Sequence, residues 1–137
     1  MKRILALDVG EVRIGLAYSD TLGISANPLE TYKVKKTDAD FEYIASVVKK
    51  FDIGTIVIGL PLNMDGTEGD RVVKTREFAE KLKTFVDLPV VWQDERLSSV
   101  TAEDALIEQG VRREKRKAVI DKVAAVVILR SYLDRTN

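Results

Sequence analysis

The 137-residue sequence contains neither cysteine nor histidine. These two absences exclude disulfides, thiol redox chemistry, zinc sites built from His and Cys, and nucleophilic sites of the Ser-His-Asp or Cys-His type. The groups that remain for catalysis are carboxylates, lysine, tyrosine, hydroxyls, and hard metal ions such as Mg²⁺ or Mn²⁺ held by oxygen ligands. Any enzymatic chemistry of this chain is therefore expected to use these groups.

The sequence also lacks a hydrophobic run long enough to span a bilayer, since a run such as residues 123–129 is far too short. Residues 1–4 lead directly into a strand-like segment, without the apolar region and cleavage site of a secretory signal. With 45% hydrophobic residues, the composition predicts a soluble globular protein with no membrane partner and, by default, a cytoplasmic location. At this length one domain over residues 1–137 is expected.

The sequence has no excess of positive or negative charge, since it contains 22 Lys and Arg residues and 22 Asp and Glu residues. This neutrality argues against an avid, sequence-independent binder of nucleic acid. The balance is uneven along the chain, however. Residues 94–108 contain five acids and one base, whereas residues 110–137 contain eight bases and three acids. The neutral total therefore conceals an acidic and a basic segment.

Apolar periodicity predicts the order strand, strand, strand, helix, strand, helix, strand, helix, helix. The strands are expected at about residues 4–7, 14–19, 24–34, 55–58 and 89–93. The helices are expected from about Asp40 to a stop at Gly54, with Asp38 or Asp40 as its cap, and at about 71–86, 98–109 and 118–133. A short first connection predicts a hairpin, and Pro28 predicts an edge position for the third strand. The fold class is therefore α/β, with a mixed five-stranded sheet whose parallel strands are joined by helical crossovers.

Acidic residues lie at the carboxyl ends of two buried strands, where open α/β sheets place their ligand sites. Asp8 follows the first strand, and the pair Asp94 and Glu95 follows the fifth. Because side chains alternate along a strand, only one member of that pair is expected to join Asp8, and periodicity does not choose between them. Asp121 lies on an apolar helix face and needs a partner, which is Lys122, another segment, or a metal shared with Asp8 and Glu95.

Three or four carboxylates around paired divalent ions suit the hydrolysis of phosphodiester bonds and require no histidine. Purely structural roles are the alternative. In that case Asp8 caps a turn, Glu95 pairs with Arg96 or Arg13, and Asp121 pairs with a neighbouring base.

Two further segments have the composition of phosphate-contacting regions. Residues 59–69 contain Pro, Asn and three glycines, which suit either a close approach to a ligand or a plain surface connection. Residues 112–117 are strongly basic and suit either phosphate contacts or a solvated turn between helices.

Four segments carry a family resemblance: LALDVGEVRIGLAYSD at residues 5–20, GLPLNMDGTEG at 59–69, DERLSS at 94–99 and IDKVAAVVIL at 120–129. On these motifs, which span essentially the whole chain, the sequence resembles the YqgF family, also called RuvX. Its members are nucleases of pre-16S ribosomal RNA related to Holliday-junction resolvases. The resemblance implies a ribonuclease H-like, three-layer fold with helices on both faces of the sheet. Asp70 departs from the Pro of many relatives, which bears on the entry to the second helix rather than on the metal site.

The resemblance also implies that Asp8, Glu95 and Asp121 are the catalytic, metal-binding acids for Mg²⁺ or Mn²⁺, while the place of Asp94 stays open. It implies that the substrate side includes Arg13, the glycine loop and Arg96. Together with the basic segment, the substrate-binding candidates are Arg13, Asn63, Gly66, Arg96, Arg112, Arg113 and Lys115.

The expected function is a metal-dependent nuclease that trims structured RNA, with the 5′ end of pre-16S rRNA as the expected target and ribosome assembly intermediates as partners. The alternatives are a resolvase-like DNA endonuclease, a non-catalytic RNA-binding assembly factor, and an ATP-hydrolysing protein of the actin-like group, for which the chain lacks room for a second lobe. The expected state is a monomer or weak homodimer, and junction cleavage would require a dimer.

Overall fold

The structure is a computed structural model that describes residues 2–94 and 113–136, with side chains in the last helix from residue 123 onward. The described elements are β1 (Arg3–Val9), β2 (Arg13–Ser19), β3 (Ala26–Lys33), α1 (Ala39–Lys50), β4 (Ile53–Leu60), α2 (Asp70–Leu82), β5 (Val90–Asp94) and α3 (Arg113–Thr136). Their order confirms the predicted one. The helix expected at residues 98–109 lies outside the described residues. Among the described helices, none is both long and apolar enough to cross a bilayer.

The five strands form one mixed sheet in the order β3-β2-β1-β4-β5. The pairs β1–β2 and β2–β3 are antiparallel, which confirms the hairpin and places β3 at an edge. The pairs β1–β4 and β4–β5 are parallel. Because these three strands run in the same direction, their carboxyl ends lie at one edge of the sheet, which we call the carboxyl edge.

Alternation of side chains along the strands divides the interior into two apolar layers. In β1, Leu5 and Leu7 are fully buried in a layer that includes Ile44 of α1 and Leu82 of α2. Ala6, between them, is fully buried in the other layer with residues of α3. Helices therefore cover both faces, as predicted, and the two faces are called the α1/α2 face and the α3 face below.

Small side chains line the contact between α3 and the sheet. Ala6 and Ala17 of the strands and Ala124 and Ala125 of the helix are all completely buried. Because short side chains allow close approach, this stretch of α3 packs tightly on the centre of the sheet.

The direction of α3 follows from two hydrogen bonds. Arg130 Nη1 donates to the carbonyl oxygen of Ile24, in the turn between β2 and β3, at 2.8 Å. That turn lies near the amino end of β1, where the Ile4 amide donates to Ser19 Oγ at 2.9 Å. The carboxyl-terminal half of α3 therefore lies beside the start of β1, and its amino-terminal half extends toward the carboxyl edge.

The prediction that Gly54 ends the first helix is wrong. Helix α1 ends at Lys50, and the left-handed residue in the turn is Asp52, with φ 54°. Aspartate tolerates this conformation better than most residues, so no glycine is needed there. Gly54 lies inside β4, where an added Cβ would lie 2.7 Å from Cβ of Lys2.

Two other predicted boundaries differ from the structure. Helix α2 ends at Leu82 rather than near residue 86, although Phe85 still packs inward, with its ring 5.4 Å from that of Phe41. The basic segment was predicted to precede the last helix, but α3 already includes Arg113–Lys117. Arg, Lys and Glu favour helices, and the segment contains no glycine or proline that would interrupt one.

Asp40 fixes the connection from β3 into α1. Its carboxylate accepts hydrogen bonds from the amides of Lys35 (2.9 Å) and Lys36 (3.0 Å) and from the Tyr32 hydroxyl (2.8 Å). The residue is only 3% exposed. Asp38 occupies the cap position of α1 but makes no side-chain cap hydrogen bond. The buried carboxylate thus holds Lys36 in its left-handed conformation, with φ 60°.

The pKa of Tyr32 is raised from 10.0 to about 12. The largest cause is burial of the phenol, and the hydrogen bond to Asp40 and the negative charge of Asp40 add to it. The folded state therefore favours the neutral phenol. Because the folded pKa is the higher one, this contribution to stability is complete below pH 10 and is lost as the pH rises toward 12.

We expect Asp40→Asn to lower the free energy of unfolding by about 1–3 kcal/mol, because an amide offers one oxygen where three donors converge. Urea denaturation at pH 7 measures this. The matched control is Asp38→Asn, whose exposed carboxylate lies 3.6 Å from Lys81 Nζ and is expected to matter by less than about 0.5 kcal/mol. Equal destabilisation by both variants would contradict the role assigned to Asp40.

Candidate active site at the carboxyl edge

Asp8 is the penultimate residue of β1, the central strand of the sheet, and is partly buried. Ile4 and Ala6 pack in the α3 layer, whereas Leu5, Leu7 and Val9 pack in the α1/α2 layer. By the same alternation, the Asp8 carboxylate projects from the α3 face, at the carboxyl edge.

Positions without side chains lie on both sides of Asp8. Across the hairpin, Asp8 pairs with Gly15. On the other side Leu7 pairs with Ile58, so Gly59 is the β4 residue at the level of Asp8. A side chain at either position would stand directly beside the carboxylate, and glycine leaves that space to a ligand.

Arg13 and Lys33 place positive charge on the same face of the sheet as Asp8. Arg13 begins β2 and pairs with Lys33 at the end of β3. Arg13 shares the strand face of Gly15, which is the face of Asp8, and directly paired residues project from the same face. The structure therefore brings Arg13 to the side of the sheet predicted for it. Sequence reasoning missed Lys33, whose signal is its position opposite Arg13 once the strand register is known.

Asp94 ends β5 at the same edge, but it belongs to the other face. It pairs with Leu60 and lies two strands from β1, which corresponds to roughly 10 Å across β4. Trp92, two residues earlier, packs in the α1/α2 layer, so Asp94 projects from that face and is exposed. The structure therefore does not bring the Asp94 carboxylate onto the face of Asp8.

The remaining predicted acids can be placed only in part. Glu95 and Arg96 lie outside the described residues. Asp121 lies in α3, whose backbone is described there, but its side chain is not. Among the side chains that are described, no group of three or more acids could hold a metal ion.

Helix geometry nevertheless relates the backbone of residue 121 to Asp8. Nine residues at about 1.5 Å each separate it from Arg130, a distance of about 13 Å along the helix. The four residue-to-residue steps from Ile4 to Asp8 in the strand also span about 13 Å. For a helix that runs along β1 with Arg130 near the start of that strand, these two lengths bring the backbone of residue 121 to about the level of Asp8.

The loop from Gly59 to Gly69 has a defined shape of its own. The Asn63 amide donates to the Thr67 carbonyl at 2.9 Å, and the Gly66 amide, at φ 88°, donates to the Asn63 carbonyl at 2.8 Å. Asn63 Nδ2 also donates to Thr67 Oγ1 at 3.0 Å. Both predicted residues therefore shape the loop, which connects the carboxyl end of β4 to α2.

Among the basic candidates, Arg112 lies outside the described residues. Arg113 and Lys115 belong to the first turns of α3, where only the backbone is described. Arg76 is a cation that sequence reasoning missed. Its guanidinium lies 5.3 Å from the centre of the Trp92 ring and 3.0 Å from Glu68, so it connects the loop to β5.

A cavity that sequence reasoning also missed lies on the α1/α2 face of the same edge. It has a volume of about 590 Å³ and lies beside Val9 and Gly10. The available signal was the spacing of Arg71, Lys74 and Lys81, which share one face of α2 and line the cavity.

Nearly the whole chain is similar to known proteins of one family. The family model described as RuvX, Holliday junction resolvase, matches residues 2–135. A protein of Halalkalibacterium halodurans named "Putative pre-16S rRNA nuclease" is 51% identical over 135 residues, which cover 97% of this chain and 96% of that protein. Proteins with the same name from Halothermothrix orenii and Bacillus cereus are 48% and 50% identical, over 98% and 97% of this chain and 96% and 98% of their own.

Among solved structures, RuvC of Thermus thermophilus aligns with a TM-score of 0.56 at 14% identity, covering 98% of this chain and 96% of RuvC. The same protein in complex with a Holliday junction substrate aligns with a TM-score of 0.55, covering 100% and 97%. At this identity the likeness concerns the fold alone, and it confirms the predicted ribonuclease H-like architecture. The family match over residues 2–135 and the sequence identity of about one half over nearly the full length show that the chain belongs to the RuvX family.

Proposed function

We propose that this protein is a metal-dependent nuclease that hydrolyses phosphodiester bonds in RNA, with the 5′ end of pre-16S rRNA as its target. The observation that carries the proposal is the Asp8 carboxylate, at the carboxyl edge of the central strand and flanked by Gly15 and Gly59. The relatives named for pre-16S rRNA supply the substrate class. Residues 1–137 act as one catalytic domain in this proposal.

The available donors fit a hard divalent cation. With no His or Cys in the sequence, a metal on this face is held by oxygen atoms, which suits Mg²⁺ or Mn²⁺. Asp8, Glu95 and Asp121 are the proposed ligands and catalytic residues. When bound, paired ions activate the attacking water and neutralise the charge that develops on the leaving oxygen.

Strand alternation supports Glu95 rather than Asp94 as the second ligand. Asp94 projects from the α1/α2 face, and the next residue of an extended strand projects from the opposite one. Glu95 would then share the face of Asp8. The backbone level of residue 121 supports Asp121 as the third ligand, approaching the same face from α3.

The cations at this edge have a different task, which is to hold the phosphate backbone. Arg13 and Lys33 lie side by side on the face of Asp8, and a guanidinium can bind phosphate through two parallel hydrogen bonds. In the proposal, Arg13 orients the scissile phosphate, while Arg96, Arg112, Arg113 and Lys115 contact neighbouring phosphates. Asn63 and Gly66 keep the loop from Gly59 to Gly69 in shape beside them.

A resolvase-like activity on four-way DNA junctions is the second candidate, because the family description names it. A junction has two strands to cut, so this activity needs two active sites and hence a dimer. Sedimentation at micromolar concentration distinguishes the candidates. A monomer supports trimming of single RNA ends, whereas a stable dimer that cuts junctions in preference to RNA would overturn the RNA proposal.

We expect Asp8→Asn to lower the rate of RNA cleavage in Mg²⁺ or Mn²⁺ at least about 100-fold, since it removes a charged metal ligand. Asp52→Asn is the matched control. Its carboxylate is exposed, at the opposite edge of the sheet, and asparagine tolerates the left-handed φ of 54°. Equal cleavage by the wild type and Asp8→Asn would mean that a contaminant cleaves the RNA, and would overturn the proposal.

Separate amide substitutions of Asp94 and Glu95 test which of the two is the second metal ligand. We expect Glu95→Gln to lower cleavage at least about 100-fold and Asp94→Asn to lower it less than about threefold, because only Glu95 would share the face of Asp8. The same cleavage assay with thermal unfolding of both variants is sufficient. A larger loss in Asp94→Asn would reverse the assignment.

Arg13 is tested through binding, in an Asp8→Asn background that prevents cleavage. Replacing Arg13 with Gln removes one phosphate contact, so RNA affinity falls for every sequence and the slope of log K against log salt decreases by about 1. Fluorescence anisotropy across a salt series measures both quantities. Lys50→Gln, at the end of α1, should leave them unchanged. An unchanged slope in the Arg13 variant would exclude a phosphate contact at this position.

A further inference from the structure

The cavity on the α1/α2 face has the size of a small-molecule site. Its volume of about 590 Å³ falls within the range of roughly 300–1,000 Å³ that is typical of ligand pockets. It lies between the β1–β2 hairpin and the facing sides of α1 and α2, on the opposite face of the sheet from Asp8. It is therefore distinct from the proposed metal site, although both lie at the carboxyl edge.

One side of this cavity is apolar and aromatic. Val9, Ile14 and Val34 line it together with Phe41 and Phe78. The rings of Phe41 and Phe78 have centroids 4.9 Å apart and planes inclined by 35°. Such a wall suits a flat ring, because stacking on an aromatic face accepts any base.

The other side carries an excess of positive charge. Lys74 and Lys81 are already paired, with Glu11 at 2.7 Å and with Asp38 at 3.6 Å. Within residues 2–94 and 123–136, Lys36 and Arg71 make no ion pair, and Arg71 Nη2 is 3.5 Å from the carbonyl oxygen of Val9.

The remaining charges of the lining do not cancel this excess. Asp40 keeps its negative charge, because its three hydrogen bonds come from neutral donors, and the four cations and three acids of the lining leave a net charge of +1. The pKa of Glu11 is lowered chiefly by the hydrogen bond and charge of Lys74, and further by the charges of Lys36 and Arg71. All three cations therefore lie close enough to Glu11 to favour its charged form.

We propose that this cavity binds a nucleoside monophosphate unit, with the base against Phe41 and Phe78 and the phosphate at Lys36 and Arg71. The unit is either a free nucleotide or one residue of an RNA strand that passes the carboxyl edge. The free nucleotide is independent of the proposed nuclease function, whereas the strand residue rests on it.

Calorimetric titration in EDTA, without divalent metal, tests the proposal on the full chain. AMP, adenosine, inorganic phosphate and a single-stranded RNA pentanucleotide are the four probes. We expect AMP to saturate one site, and adenosine and phosphate each to bind at least about tenfold more weakly, because each uses only half of the lining. Amide shifts in the NMR spectrum should identify Phe41, Arg71 and Phe78 as neighbours of bound AMP.

The double variant Lys36→Gln, Arg71→Gln should weaken AMP binding at least about tenfold. Lys83→Gln removes a cation that follows the last residue of α2 and pairs with Glu80 outside the cavity, and it should not weaken AMP binding. Binding of the pentanucleotide but not of AMP, with the same dependence on Lys36 and Arg71, would assign the site to a strand residue. Equal affinity of the double variant, NMR shifts elsewhere, or saturation by neither AMP nor the pentanucleotide would overturn the proposal.

The result of the AMP-binding experiment can be distinguished from the result of the nuclease assay. Asp8→Asn should bind AMP as the wild type does, because Asp8 projects from the other face. AMP binding in a protein that cleaves no RNA would leave the cavity assignment intact and remove only the nuclease function.

Discussion

Alternation of side chains along β1 is the constraint on which the site depends. Leu5 and Leu7 are completely buried on one face and Ala6 on the other. Each buried leucine stabilises the fold by roughly 1.5–3 kcal/mol. A shift of one residue in the pairing of β1 would exchange the two faces of the strand. The leucines would then point toward α3, where alanine packs in the structure, and Asp8 would point into the core of the α1/α2 face. The packing of the strand interior therefore determines the face of the sheet from which the Asp8 carboxylate projects.

The same interior packing links segments that are distant in the sequence. The buried alanines allow α3 close to the sheet, and the hydrogen bond from Arg130 to Ile24 sets how far the helix extends along β1. One end of α3 is thereby fixed at the amino edge, so its rise of about 1.5 Å per residue determines what reaches the carboxyl edge. An insertion of one residue between positions 121 and 130 would turn position 121 by about 100° about the helix axis relative to Arg130, even if the helix stayed intact.

Sequence alone predicted the elements whose periodicity and packing agree. The strands, the hairpin, the edge position of β3 and the placing of Asp8 at a strand end follow from local patterns. The failures occur where tertiary contacts decide. Glycine is a common residue at helix ends, but Gly54 lies in the sheet, where its lack of a side chain leaves room for Lys2. The choice between Asp94 and Glu95 depends on strand register, which a single sequence does not contain. The cavity was missed for a related reason, because its aromatic wall and its cations come from different elements.

The acids and bases are equal in number, but they are distributed differently over the two faces of the sheet. At the carboxyl edge, the α3 face carries Asp8 together with the cations Arg13 and Lys33, whereas the α1/α2 face carries cations of which two are already bound to acids. A phosphate held by Lys36 and Arg71 would gain little from Lys74, which is already paired with Glu11, so its binding would be weaker than a count of cations suggests. Neutralising partners also reduce non-specific attraction to nucleic acid, because fewer counterions are released. If both faces bind as proposed, affinity would depend on a few well-placed contacts, which would favour a ligand that offers a phosphate and a base together over a bare polyanion.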